Sequence, residues 1–134
     1  METKSKGSKP NNTIRIPCDL NSLFRYWLRF LTPFHNLTSR ELDVATAFLK
    51  ERYRLSKVIL DNDLIDRTLM SEESQRKLRQ ECELTNQHFQ VIKSKLKSKK
   101  FFINDKINPR LIPNINDVVK SFQLLLVFDY SNDI

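Results

Sequence analysis

The residues best suited to chemistry lie in one segment, residues 85–110, and the chemistry they suit is polyanion binding. The segment contains seven basic residues and a single acidic one, Asp105. The whole chain of 134 residues has 23 basic and 16 acidic side chains, so the other 108 residues contain 16 basic against 15 acidic. A net charge of +6 within one segment predicts a surface that attracts a polyanion.

Helical spacing indicates which side chains of this segment would make contact. Phe89, Ile92 and Leu96 recur at the spacing of one buried helix face. Amides on the opposite face suit adenine edges in the major groove, and lysines suit guanine acceptors or phosphate. The predicted DNA-binding residues of this helix are Asn86, Gln87, Gln90, Lys93, Ser94 and Lys97.

A short β-hairpin is predicted directly after that helix. Residues 99–103 have the pattern of a strand, Asn104 and Asp105 suit a two-residue turn, and residues 106–108 return before Pro109 ends the pair. Polar and basic side chains here suit phosphate contacts, which position a protein on DNA without reading its sequence. The predicted contacts are Lys99, Lys100, Asn104, Lys106 and Arg110.

A second helix is predicted just before the basic one. Ser71 is a candidate cap, Leu78 and Cys82 face inward one turn apart, and Thr85 is the candidate cap of the basic helix. Because only two or three residues separate the helices, they must cross steeply, which is the geometry of a helix-turn-helix.

Residues 78–92 resemble the helix-turn-helix family in their apolar and capping positions. The matching residues are Leu78, Cys82, Leu84, Thr85, Phe89 and Ile92. Two positions differ from the family pattern. Arg79 stands where the family usually has a small residue, and Glu83 stands where the family usually has glycine. With the hairpin as a wing, residues 56–113 resemble the winged helix-turn-helix domains of bacterial and phage regulators and replication initiators. This resemblance implies binding to double-stranded DNA.

The N-terminal half shows further helix signals. Residues 13–17 alternate like a short edge strand, and an apolar stripe from Leu20 to Leu31 predicts a helix capped by Asn21 and closed by Pro33. This stripe is typical of a core or of a dimer contact. Thr38 and Glu41 predict a capping box, with a staple between Leu37 and Leu42. That helix should reach about residue 54, followed by a short helix over 56–61. Residues 61–70 are acidic and loop-like, and some helix is possible there.

The C-terminal part is predicted to add a last helix. Asn116 is its candidate cap, and its apolar positions run to Leu126. The apolar run 124–128 also fits a buried strand, since short apolar runs do not distinguish the two. The predicted fold is therefore mainly α with a small β-hairpin, a winged helix-turn-helix with extra N-terminal and C-terminal helices. Residues 1–13 are expected to form a flexible basic tail and residues 14–134 a single domain.

Several functional classes lack support in the sequence. The two histidines and two cysteines show no metal-ligand spacing, and the one glycine, Gly7, leaves no glycine-rich phosphate loop. The sequence shows no evident catalytic group, cofactor site, small-molecule site or membrane span. Two cysteines do not make a disulfide framework, which favours a reduced, cytoplasmic protein.

Double-stranded DNA is thus the expected partner, for a transcriptional regulator or a replication-associated factor of a bacterium or phage. The alternative is a protein–protein or assembly role on the same scaffold, for example in a phage particle, with homodimers or larger assemblies formed through the apolar terminal segments. RNA is a weaker candidate, because Phe101 and Phe102 cannot both leave one strand on the same side to stack on bases.

Overall fold

The computed structural model describes residues 13–132 and is mainly helical with one small antiparallel hairpin. The predicted basic tail lies outside the described residues, apart from Thr13. In chain order the elements are α1 (Leu20–Phe30), α2 (Thr32–His35), α3 (Ser39–Ser56), α4 (Asn62–Leu69), α5 (Glu72–Glu81), α6 (Asn86–Ser98), β1 (Phe102–Ile103), β2 (Lys106–Ile107) and a 3₁₀ helix (Pro109–Leu111).

Helix α3 is the centre of the fold, because α1, α4, α5 and α6 all pack against it. Its N-terminus has the predicted capping box: Thr38 Oγ1 accepts from Glu41 N–H, and Glu41 Oε1 accepts from Thr38 N–H. The predicted staple residues Leu37 and Leu42 are both buried in the core. The core continues along α3 through Phe48 and out to the other helices and the hairpin.

The apolar stripe of α1 supplies core residues, as its spacing predicts. Phe24, Trp27 and Leu28 are buried, while Leu20 at the start is exposed. Two details of the prediction are wrong. The first is the cap, which is Asp19, whose carboxylate accepts from Ser22 N–H.

The second wrong detail is the role of Pro33. It does not close α1, since it sits in the first turn of α2, where the missing N–H of proline has no helical partner to lose. The short helix α2 ends at His35, and the residue that follows and caps it, Asn36, has φ 55°.

Two buried polar groups tie α1 to its surroundings. Trp27 Nε1 donates to the Leu111 carbonyl at 2.8 Å. His35 accepts from Leu37 N–H through Nδ1, so its Nε2 carries the proton and donates to the Leu28 carbonyl at 2.6 Å. Both groups are satisfied inside the fold, as buried polar groups must be.

The predictions for the segments flanking α1 and α4 are wrong. Residues 13–17 form no strand, because nothing in the described chain pairs with them. The helix expected over 56–61 is absent. The stretch 61–70 is loop-like by its sequence but allows some helix, and it forms α4. Asp61 caps α4 through Asp63 N–H, and burial of Ile65 and Leu69 holds it on α3.

The predicted C-terminal helix is also wrong, and so is the alternative of a buried strand. Residues 117–120 form a turn in which Asn116 Oδ1 accepts from Val118 and Val119 N–H. Residues 122–130 follow without helix or strand, and the 124–128 run is exposed. A short helix is marginal in water unless one face packs on something, and no surface of the described residues covers this segment.

Among the described residues, none of the helices combines the length and apolar character that crossing a bilayer requires.

Candidate nucleic-acid interface

The helix pair α5 and α6 is capped where the sequence predicts. Ser71 Oγ accepts from Ser74 N–H, and Thr85 Oγ1 accepts from His88 N–H at 3.1 Å. Both caps satisfy backbone donors that a helix start leaves without partners. They fix where α5 and α6 begin, and hence the length of the turn between them.

The turn between α5 and α6 adopts a left-handed residue at the position where the helix-turn-helix pattern has glycine. Glu83 has φ 55°, its N–H donates to the Gln80 carbonyl at 3.0 Å, and Leu84 N–H donates to the Arg79 carbonyl at 3.1 Å. Arg40 of α3 also donates to the Cys82 carbonyl at 3.3 Å. The turn therefore stays tight although Glu83 replaces the glycine of the pattern. Its left-handed backbone conformation costs free energy, because Glu83 has a side chain and glycine does not.

The apolar face of α6 anchors it in the core. Phe89, Ile92 and Leu96 are all buried, as their spacing predicts. The Phe89 ring stacks on Phe48 of α3 with centroids 6.0 Å apart. Because these three residues fix the rotation of α6, they also decide which of its polar residues face solvent.

The exposed face of α6 is polar and lies opposite that anchor. Its first turns present three amides and its last turn presents a lysine, and no carboxylate occurs anywhere in the helix. The predicted residues found exposed here are Asn86, Gln87, Gln90, Ser94 and Lys97. The structure therefore brings five of the six candidates of this helix together on one open surface.

Lys93 is the exception among the six. It is half-buried, and its Nζ donates to Gln75 Oε1 of α5 at 2.6 Å. Burial lowers the pKa of Lys93, and the nearby Asp105 carboxylate only partly opposes this. Lys93 thus joins α5 to α6 and extends toward the hairpin turn, a position that the helix pattern alone did not reveal.

The Lys99 ammonium group also binds other residues of the fold. Its Nζ lies 2.6 Å from Glu41 Oε1 and donates to the Asn36 carbonyl at 2.9 Å. The Glu41 side chain is only 5% exposed. Burial acts to raise the pKa of Glu41, but hydrogen bonds from Lys99 and from Thr38 N–H outweigh it and leave the pKa lowered. Lys99 therefore neutralises a buried carboxylate at the start of α3.

The hairpin forms with the predicted two-residue turn. Phe102 pairs with Ile107 and Ile103 with Lys106, and Asn104 and Asp105 both have positive φ, at 55° and 60°. Positive φ at both central residues is the turn geometry that matches strand twist. The strands are shorter than predicted, because Lys100 turns the chain with φ 70° before β1 begins.

The remaining hairpin candidates surround this turn. Asn104, Lys100 and Arg110 are exposed, and Lys106 is half-buried. Asn108 fixes the base of the hairpin, because its amide donates to the Lys100 carbonyl and its Oδ1 accepts from Arg110 N–H. Since β1 packs on α6, the hairpin follows the polar helix face without an intervening element.

A second group of cations lies away from α6, in a cleft between α1 and α3. Arg25 pairs with Asp43 at 2.6 Å, and Arg40 approaches the same carboxylate at 3.6 Å. These cations neutralise an acid of the fold, so they contribute less to an anion surface than their number suggests. Helix spacing does not reveal the Arg25–Asp43 pair, because its partners belong to α1 and α3, whereas Arg40 and Asp43 are three residues apart on α3.

The acidic residues that cluster in the sequence are separated in the structure. Asp61 caps α4, Asp66 pairs with Arg52 at 3.1 Å, and Glu72 and Glu73 lie in the first turn of α5, where the helix dipole favours them. Across residues 13–132, His, Cys, Asp and Glu side chains form no group of three that would hold a metal ion.

Comparisons with protein-family models, with curated proteins and with solved structures give no match for this chain.

Proposed function

We propose that the chain binds double-stranded DNA as a winged helix-turn-helix protein. Helix α6 would enter the major groove, and the β1–β2 hairpin would lie against the sugar-phosphate backbone as the wing. The biological role proposed is that of a small transcriptional regulator or replication-associated factor in a bacterium or in a phage-infected cell. In such cells the DNA is in the cytoplasm, so the proposal includes that location.

The observation that carries this proposal is the open face of α6. A helix whose buried side is fixed by Phe89, Ile92 and Leu96 exposes amides in its first turns and Lys97 in its last. The major groove admits a helix of this kind, and recognition helices meet base edges chiefly with their N-terminal residues. The absence of carboxylates from α6 means that no charge on the helix would repel phosphate.

The contacts divide into two kinds. Asn86, Gln87 and Gln90 are proposed to reach base edges, because an amide can donate to and accept from adenine at once. Ser94 suits either a base or a phosphate. Phosphate contacts are proposed for the exposed or half-buried residues that follow, Lys97, Lys100, Asn104, Lys106 and Arg110. Lys93 and Lys99 are not proposed as phosphate contacts, because Lys93 binds Gln75 and Lys99 binds Glu41.

A duplex is favoured over single-stranded nucleic acid. Single strands are bound by exposed aromatic rings on which bases stack. Phe101 and Phe102 are instead buried, and Phe102 packs edge-on against Phe48 with centroids 5.0 Å apart. The wing then offers polar and charged groups, among them the acidic Asp105 at its turn, but no phenylalanine to a nucleic acid.

The proposal is tested by duplex binding at a series of salt concentrations, with matched lysine variants of α6. Lys97→Ala should reduce the slope of log K against log salt by about 0.9, the value for a single phosphate that is no longer neutralised. Lys95 is the control, because it is close enough to Glu41 on the α3 side to lower that residue's pKa. Lys95→Ala should leave the slope unchanged. Equal salt slopes for the unmodified chain, Lys97→Ala and Lys95→Ala would overturn the proposal that the exposed face of α6 binds DNA.

Sequence reading is tested separately, by selecting bound duplexes from a random pool. Asn86→Ala and Gln90→Ala should each relax the preference at one base position, by about 1–3 kcal/mol. Weakening that is uniform across all sequences would instead assign these amides to the backbone.

An assembly role is the second candidate, and the exposed apolar segment after Asn116 favours it. Val118, Leu125 and Phe128 are among its most exposed residues. If assembly is the sole function, the protein should form large oligomers and show no duplex affinity at ~150 mM salt, where phosphate-directed binding is screened but measurable.

A further inference from the structure

Residues 118–130 form the most exposed apolar segment of the described chain, in which only Phe122 packs against the core. The exposed fractions are 90% for Val118, 78% for Leu125, 83% for Phe128 and 86% for Tyr130. Contiguous apolar surface of this kind marks an interaction site in a soluble protein. The segment contains no helix or strand after its opening turn, so its backbone groups also lack regular partners.

A second uncovered apolar surface lies on α1 and α2. Tyr26, Phe30 and Phe34 follow one another at steps of four residues and are 42%, 49% and 75% exposed. We name these three residues the aromatic row. Tyr26 and Phe30 lie on the outer side of α1, since Phe24, Trp27 and Leu28 face the core, and Phe34 lies on α2. The row thus offers three rings that remain exposed in part, Phe34 most of all, among the described residues.

Both surfaces adjoin α1, and they are complementary in charge. The Phe122 ring meets the Trp27 ring edge-on with centroids 5.0 Å apart, so the segment leaves the fold beside α1. After Lys120 the described residues carry one charge, that of Asp129. Beside the aromatic row, α1 exposes Arg29, which pairs with no carboxylate of the described residues.

We propose that residues 124–130 of one copy pack on the aromatic row of a second copy, and that the exchange is reciprocal. Both halves of the contact are present on every chain, which is the requirement for a twofold, self-complementary dimer. Asp129 of each segment would lie near Arg29 of the other copy. The proposed dimer does not depend on DNA binding.

The size of the proposed contact is sufficient for a stable dimer. Each contact would bring together the rings of Phe128 and Tyr130 with the three rings of the aromatic row. An aromatic side chain buries roughly 150–250 Å². These five rings are 42–86% exposed before association. Two reciprocal contacts that cover what remains exposed would bury roughly 1,000–1,700 Å², which reaches the lower part of the roughly 1,200–2,000 Å² of a standard stable interface.

The first test measures molar mass in solution without DNA, by light scattering after gel filtration. The full chain should be a dimer. Deletion of residues 124–134 should give a monomer, and so should the double variant Phe30→Asp, Phe34→Asp. The control is Leu60→Asp, an equally drastic change at a position 98% exposed between α3 and α4, which should remain a dimer. Trp27 fluorescence and circular dichroism check that each variant is folded.

The second test asks whether the contact is made between copies. The deletion variant keeps the aromatic row, and the double variant keeps the segment, so their mixture can form one of the two contacts. Mixing should produce a heterodimer weaker than the full-length dimer. A monomeric full chain, a dimeric deletion variant, or a mixture of folded variants that stays monomeric would each overturn the proposal.

Discussion

Replacing Lys99 with alanine should lower the free energy of unfolding by about 2 kcal/mol and leave the salt dependence of DNA binding unchanged. The reason is the contact between Lys99 Nζ and Glu41 Oε1 at 2.6 Å. Removing one partner of a fully buried ion pair costs about 3–5 kcal/mol, because the other charge is left buried. Here the Lys99 side chain is 28% exposed and Glu41 keeps its hydrogen bond from Thr38 N–H. Access to water and the remaining donor reduce the expected cost to the lower figure.

The assay is urea unfolding followed by the fluorescence of Trp27, the only tryptophan of the chain, which is buried beside Phe122. With a slope of about 1–3 kcal/mol per molar urea, the midpoint should fall by roughly 1 M. Lys97→Ala is the matched control and should change stability by less than about 0.5 kcal/mol, since it removes an exposed side chain. An unchanged urea midpoint for Lys99→Ala, together with a salt slope reduced by about 0.9, would refute the reasoning and make Lys99 a phosphate contact.

Three further outcomes follow from local geometry and are measured by unfolding. Glu83→Gly should stabilise the protein by about 0.5–1 kcal/mol, because glycine adopts the observed φ of 55° without the steric cost of a side chain; a loss of stability would show that the Glu83 side chain contributes more than its backbone costs. Thr85→Ala should cost about 1 kcal/mol because it removes the cap on α6, whereas Thr85→Ser should cost much less. Glu41 should make stability depend on pH, since its pKa in the folded state lies below the ordinary 4.5; its contribution is complete above that ordinary value and disappears as the pH falls through the folded value. Thermal unfolding between about pH 6 and about pH 3 should therefore show a smaller decrease in stability for Glu41→Gln than for the unmodified chain.

Most signals confined to a few neighbouring residues are predicted correctly from the sequence, and the cap of α1, Asp19 instead of Asn21, is an exception. The caps at Thr38, Ser71 and Thr85 form because the side chain and the N–H it accepts from are three residues apart. The buried face of α6 follows from helical spacing, and the hairpin turn follows from the two residues between its strands. These elements contain most of the proposed DNA-binding surface, which is why that surface was visible before the structure.

Elements whose stability depends on packing against a distant part of the chain are not predicted correctly from the sequence. Helix α4 exists because α3 buries Ile65 and Leu69, and the expected C-terminal helix is absent because none of the described residues covers its apolar side chains. In each case the local pattern was compatible with more than one structure. Packing against another element decided the outcome, since short helices gain most of their stability from tertiary contacts.

Residues 85–110 show both what local sequence signals predict and what they cannot predict. By itself the sequence determined their charge and their division into a helix and a hairpin, because these depend only on residue type and spacing. It could not distinguish the lysines that face solvent from those used within the fold. Lys93 is occupied by Gln75, 18 residues away, and Lys99 by Glu41, 58 residues away. Only the tertiary structure decided this, because a hydrogen bond or ion pair depends on proximity in space, which the order of residues along the chain does not record.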